Sequence, residues 1–172
     1  MYRGRSLVPQ ALAFKSLGAG RVIAIDPYLA AAARQTDDHE VPLVVLDDFV
    51  ERTDWDSLYL ETQERLTRLG VGDFGELRRM TSHEAADSFA DRSVDMLHID
   101  GNYDLAAVLD DLTCYLPKLR HRAYLVMDDA SWQAIRPALD ALDALDAPDD
   151  PCGASSVSTT VASAVWGRRA TS

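Results

Sequence analysis

Cysteine is almost absent. Cys114 and Cys152 are the whole complement of the 172-residue chain, too few for a disulfide framework and not spaced as a zinc knuckle. A reducing cytoplasm is the compartment this usage predicts. Lysine is equally scarce, confined to Lys15 and Lys118, and 17 basic residues face 28 acidic ones for a formal charge of −11. Such a chain is repelled by a polyanion and lacks the clustered Lys and Arg of a phosphate-tracking groove, so no nucleic-acid partner is expected. No apolar run reaches the ~18 residues of a membrane span, and residues 1–6 show no basic-then-apolar leader pattern. No membrane partner is expected either. What is present is ordinary for a globule: 47% hydrophobic residues, a mean hydropathy of −0.15, and a length that suits one domain.

Leu7, Val8, Ala11, Leu12, Phe14 and Leu17 recur at three- and four-residue steps and predict a helix ended by Gly18-Ala19-Gly20. Pro9 falls in its first turn, where a missing N–H costs little. Arg21–Pro27 is a short β-branched run and predicts a strand buried on both faces. The Ala-rich piece 29–34 reads as helix, 35–42 as polar loop, and Leu43–Leu46 as a strand or buried turn. Trp55, Leu58, Tyr59, Leu66 and Leu69 stripe a helix over 54–69 closed by Gly70; Glu76–Met80 reads as a short strand and His83–Ala90 as a short helix. Val94–Gly101 is a strand with an acid and a glycine at its exit. An amphipathic helix follows, from Leu105 to Pro117, and Tyr124–Met127 is a strand ending in Asp128-Asp129. Trp132, Ile135, Leu139 and Leu142 mark the next helix, residues 147–151 a loop, and 155–166 one last strand. Strands alternating with helices predict an α/β fold, a parallel sheet with helices on both faces.

Ligands of an open parallel sheet bind beyond the carboxyl ends of its strands. Asp26, Asp100 and the pair Asp128-Asp129 all stand at such ends. Each has a plainer reading: Asp26 before Pro27 can start a turn, Asp100-Gly101-Asn102 is a turn sequence, and Asp128-Asp129 can cap the next helix. Their convergence on one edge of one sheet favours chemistry. Gly4 before a helix, with an acid ending the following strand about twenty residues on, is the nucleotide-ribose arrangement, although Arg3-Gly4-Arg5-Ser6 has no second glycine.

Tyr2-Arg3-Gly4-Arg5-Ser6 and Val22–Pro27 resemble the first two cofactor motifs of class I S-adenosylmethionine-dependent methyltransferases. Residues 94–102, Asp110, Leu116–Leu119 and Tyr124–Asp129 resemble their fourth and fifth strands. The subgroup most resembled contains Mg²⁺-dependent O-methyltransferases of small molecules, including sugars of macrolide-type products. The resemblance spans residues 2–140 and implies a Rossmann-like sheet of order 3-2-1-4-5. It implies Gly4 under the methionine part of the cofactor, Asp26 on the ribose hydroxyls, and Ser82 near the adenine. Asp100, Asp128 and Asp129 would be the Mg²⁺ ligands, Asp129 standing where Asn is common. The physics of adjacent strands agrees: they lie about 4.8 Å apart, so acids ending them can share one hard cation. His98 lies two residues before Asp100, on the same strand face; it reads first as a satisfied buried histidine and second as a catalytic base beside Asp100. Tyr103 stands where related sequences carry histidine, and Arg122-Ala123 replace a Gly-Gly, altering only a turn. Trp132 and Cys114 read as packing residues.

The motif of that family normally begins with a strand just before Tyr2, the central one, between the Asp26 and Asp100 strands. Residues 1–172 are therefore expected to be a single but incomplete, N-terminally truncated domain. The expected activity is methyl transfer to a hydroxyl of a small molecule, a homo-oligomer being compatible with it. A non-catalytic, fragmentary methyltransferase-like domain is the alternative. A nicotinamide-dependent oxidoreductase would want a fuller glycine fingerprint and a Tyr-x-x-x-Lys, neither of which occurs.

Overall fold

The computed structural model describes residues 2–37 and 40–145; the loop at 147–151 and the strand expected over 155–166 lie outside them. The described residues divide into two compact units, one made of 2–36 and 41–88, the other of 37, 40 and 89–145.

The first unit runs through α1 (Leu7–Leu17), β1 (Val22–Ile25), α2 (Ala30–Ala33), α3 (Leu43–Arg52), α4 (Trp55–Leu69), β2 (Gly75–Arg78) and α5 (Ser82–Ala86). Gly18 ends α1 and Gly70 ends α4, both in the left-handed conformation that releases a helix at little steric cost. Asp54 caps α4 by accepting the Ser57 N–H at 3.0 Å. β1 and β2 pair in parallel, Val22 opposite Gly75 and Ile25 opposite Arg78. Leu7, Ala11, Ala24, Leu66 and Val71 form the core, so α1 and the last turns of α4 cover the Val22/Ala24 face. The buried stripe of α4 is Leu58, Thr62 and Leu66; Thr62 is tolerated there because its hydroxyl donates to the Leu58 carbonyl at 2.8 Å.

Leu43–Leu46 is the first correction: it opens α3 and is neither strand nor buried turn. The Pro42 carbonyl accepts from the N–H groups of Val45 and Leu46, and Leu43, Leu46 and Val50 turn inward while Val44 and Val45 face solvent. A short β-branched run does not separate strand from helix; helical spacing of its neighbours decides.

The second unit contains β3 (Val94–Ile99), α6 (Leu105–Tyr115), β4 (Leu119–Met127) and α7 (Arg136–Leu145), with short 3₁₀ turns at 116–118 and 133–135. β3 and β4 are parallel, Met96 opposite Tyr124 and Ile99 opposite Met127. Ile99, Leu125 and Met127 pack with Val108, Leu112, Ile135, Ala138 and Leu142, so the stripes of α6 and α7 cover one face of this pair. On the other face Met96 and Tyr124 are 42% and 62% exposed; among the described residues of this unit the apolar stripes of α6 and α7 lie on the same side. Arg122-Ala123 also differs from expectation. It lies inside β4, at the bulge where the register slips, with Arg122 at φ 64, a conformation suited to the glycine it replaces.

The expected strand order pairs the Asp26 strand with β2 and the Asp100 strand with β4, and both pairs form. The described strands make two two-stranded sheets, β1-β2 and β3-β4; the strand that the resemblance puts between them is not among the described residues.

Candidate active site

In the first unit, three residues were expected to bind cofactor. Gly4 is buried at φ +65, and a Cβ there would lie 3.0 Å from Thr62 Cγ2 and 3.3 Å from Val8 Cγ2. Close packing of the N-terminal turn on α4 therefore accounts for the glycine by itself. Asp26 follows β1 directly, its N–H still in the ladder to the Arg78 carbonyl. Its Oδ1 accepts from the Tyr28 N–H at 2.7 Å, the turn that the Asp-Pro sequence suggested. This fixes a half-buried carboxylate at the edge where β1 and β2 both end. Ser82 stands four residues past β2 as the first residue of α5, half-buried behind the capping box of Thr81 and Glu84.

Sequence reading missed what holds the Asp26 turn. Tyr28, at φ 48 and 1% exposed, sets its ring edge-on to Tyr59 at 5.5 Å, and burial pushes its phenol above the ordinary value. Arg79 lies over the Tyr59 ring at 5.1 Å, pairs with Asp56, and donates to the carbonyls of Pro27 and Tyr28. These contacts come from three separate stretches of chain, so no local pattern announces them.

In the second unit the register does the placing. His98 is opposite Val126, and the Asp128 N–H continues the ladder to the Ile99 carbonyl at 3.0 Å. Asp100 and Asp128 therefore leave adjacent strands side by side. His98, Asp100 and Asp128, each half-buried, present ligand atoms within 4.8 Å of one another. The histidine is thus no core residue: strand alternation puts it on the Asp100 face, away from α6 and α7. Asp129, the expected third acid, is not in this trio. It sits at φ 47 with its N–H donating to Asp128 Oδ1 at 3.0 Å, and its carbonyl accepts from Trp132. Neither acid caps the following helix; Glu40 does, accepting from the Gln133 N–H at 2.8 Å. Asp37 does the same for α6, accepting from Leu105 at 2.7 Å. Asn102 turns the chain between Asp100 and α6 by accepting from the Asp104 N–H. Tyr103, 5% exposed, donates its hydroxyl to Asp100 Oδ1 at 3.3 Å and lies against Trp132, ring centroids 5.0 Å apart.

Partial desolvation, followed by the charges of Asp128, Asp100 and Glu40, holds the Asp129 carboxyl above its ordinary value. An acid raised on folding stabilises the fold in its neutral form; that contribution is complete below the unfolded value and lost as pH rises through the folded one. Asp129→Asn removes the penalty and suits a left-handed position. In a metal-free pH series of melting temperatures, we expect the variant to match the wild type in acid and exceed it at neutrality. The side chain is largely exposed, so the gain is a few tenths of a kcal/mol, about 1–2 °C. Equal melting temperatures throughout would refute the charge crowding.

The donor set suits a hard divalent cation: carboxylate oxygens are the ligands Mg²⁺ and Mn²⁺ prefer, and an added imidazole is acceptable to Mn²⁺.

A family model described as a methyltransferase domain matches residues 1–130. An uncharacterized protein, y4gI of Sinorhizobium fredii, is 36% identical over a stretch that covers 39% of this chain, and only 9% of that protein is spanned. No solved structure matches.

Proposed function

Because the chain belongs to this methyltransferase-domain family through residues 1–130, we propose that it transfers a methyl group from S-adenosylmethionine to a hydroxyl of a small molecule, with Mg²⁺ assisting. The observation that carries the reading is the meeting of His98, Asp100 and Asp128 where β3 and β4 end. When bound, the sulfonium would supply the electrophilic methyl, and the cation a Lewis acid for the oxygen that attacks it. Asp26, its direction fixed by the Tyr28 N–H, is suited to accept from the two ribose hydroxyls. Gly4 and Ser82 are assigned to the methionine and adenine ends. Asp100 and Asp128 would hold the cation with Asp129 beside them. Since Mg²⁺ prefers oxygen, His98 is left to take the hydroxyl proton, its imidazole within reach of both acids. Alignment of oxygen, methyl and sulfur accounts for most of the remaining acceleration.

A methyltransferase-like domain without turnover is the competing reading. It is favoured by the division of the strands into two small sheets and by the packing that already explains Gly4. Calorimetry with S-adenosylhomocysteine, followed by methyl transfer to hydroxylated acceptors with and without EDTA, decides between them. Binding with EDTA-sensitive turnover is expected; no binding at millimolar ligand would leave the inert domain, and turnover indifferent to EDTA would remove the cation.

A further inference from the structure

We propose that Tyr103 is a positioning residue: its hydroxyl fixes the Asp100 carboxylate in the orientation offered to the cation. The inference rests on the metal reading above and deepens it.

Three observations place the phenol under constraint. The ring is 5% exposed and lies on Trp132 at 5.0 Å, so it cannot swing out to solvent. The backbone on either side is tied, by the Asn102 side chain accepting from Asp104 and by Asp37 accepting from Leu105 at the start of α6. A buried phenol needs a partner, and Asp100 Oδ1, at 3.3 Å, accepts its hydrogen.

A carboxylate that donates one lone pair to a fixed hydroxyl has lost most of its rotational freedom before any cation arrives. Outer partners of this kind orient ligands and typically govern 10–100-fold in metal affinity. Histidine, which the resemblance places at this position, would present a ring nitrogen in a different place; the longer tyrosine spans from the Trp132 face to Asp100.

The test uses Mn²⁺ as probe, titrated into the full chain and read by electron paramagnetic resonance, without substrate or turnover. Wild-type protein is expected to bind, and Tyr103→Phe to bind about tenfold or more weakly while keeping its metal-free melting temperature, since the ring stays on Trp132. In an Asp100→Asn background, Tyr103→Phe is expected to add nothing, a non-additivity that a packing role would not produce. Wild-type and Tyr103→Phe affinities within twofold of each other would overturn the inference and leave the metal reading standing. Absence of Mn²⁺ binding by the wild type would overturn both.

Discussion

Gly75→Ala is expected to destabilise the protein by about 2–3 kcal/mol, lowering its melting temperature by roughly 5–10 °C. Gly75 opens β2 opposite Val22 and donates its N–H to the Val71 carbonyl at 2.8 Å. A Cβ built there would lie 2.7 Å from Ala11 Cβ, 3.5 Å from Leu66 Cδ2 and 3.6 Å from Leu7 Cδ1. The first of these contacts cannot be relieved by a rotamer change, because a Cβ moves only with its backbone. Either α1 lifts from the sheet or β2 leaves its register. Ala11 and Leu7 are fully buried, so lifting α1 opens the centre of the first unit's core. Ala11→Gly should cost about 1 kcal/mol alone, as a glycine inside a helix does, yet improve the Gly75→Ala protein by removing the colliding atom. Denaturant unfolding of both single variants and the double variant measures this. A coupling of about 1–2 kcal/mol is expected; additive losses would mean that α1 does not rest on Gly75.

How far such contacts can be read from sequence depends on their range. Helices α1, α4, α6 and α7 were legible because their apolar residues recur at helical steps and because Gly18, Gly70 and Pro117 punctuate them. β1, β3 and β4 were legible as apolar runs ending in acids, and parallel pairing then brings Asp100 beside Asp128 without further information. α3 was misread because its two most exposed apolar residues, Val44 and Val45, are β-branched and imitate a strand. Glu40, Asp37 and Arg79 escaped notice since each serves an element far along the chain: Gln133, Leu105 and the Pro27–Tyr28 turn. The His98 side was legible in direction but not in role, because strand alternation tells which face a residue takes and not what covers that face.

Asp128→Asn is expected to separate function from stability. In the metal-free protein, Asp100 and Asp128 bring ligand atoms within 4.8 Å, and their charges also raise Asp129. Two carboxylates that close repel by about 1 kcal/mol even with water-like screening. Asparagine removes one charge while its Oδ1 can still accept from the Asp129 N–H, the bond that orders the turn at 3.0 Å. The variant should therefore melt at or slightly above the wild-type temperature when no cation is present. Addition of Mg²⁺ or Mn²⁺ at a hundredfold its dissociation constant stabilises a protein that binds it by about 2.7 kcal/mol, and this rise should appear in the wild type and vanish in Asp128→Asn. Methyl transfer should fall by at least about a hundredfold, the loss of several kcal/mol of Lewis-acid stabilisation. Thermal melts with and without cation, beside initial rates on one acceptor, read all three effects. A variant that still gains stability from the cation would move the ligand set away from Asp128, toward His98 and Asp129. One that loses stability without cation would show that the acids are held apart by something other than their own repulsion.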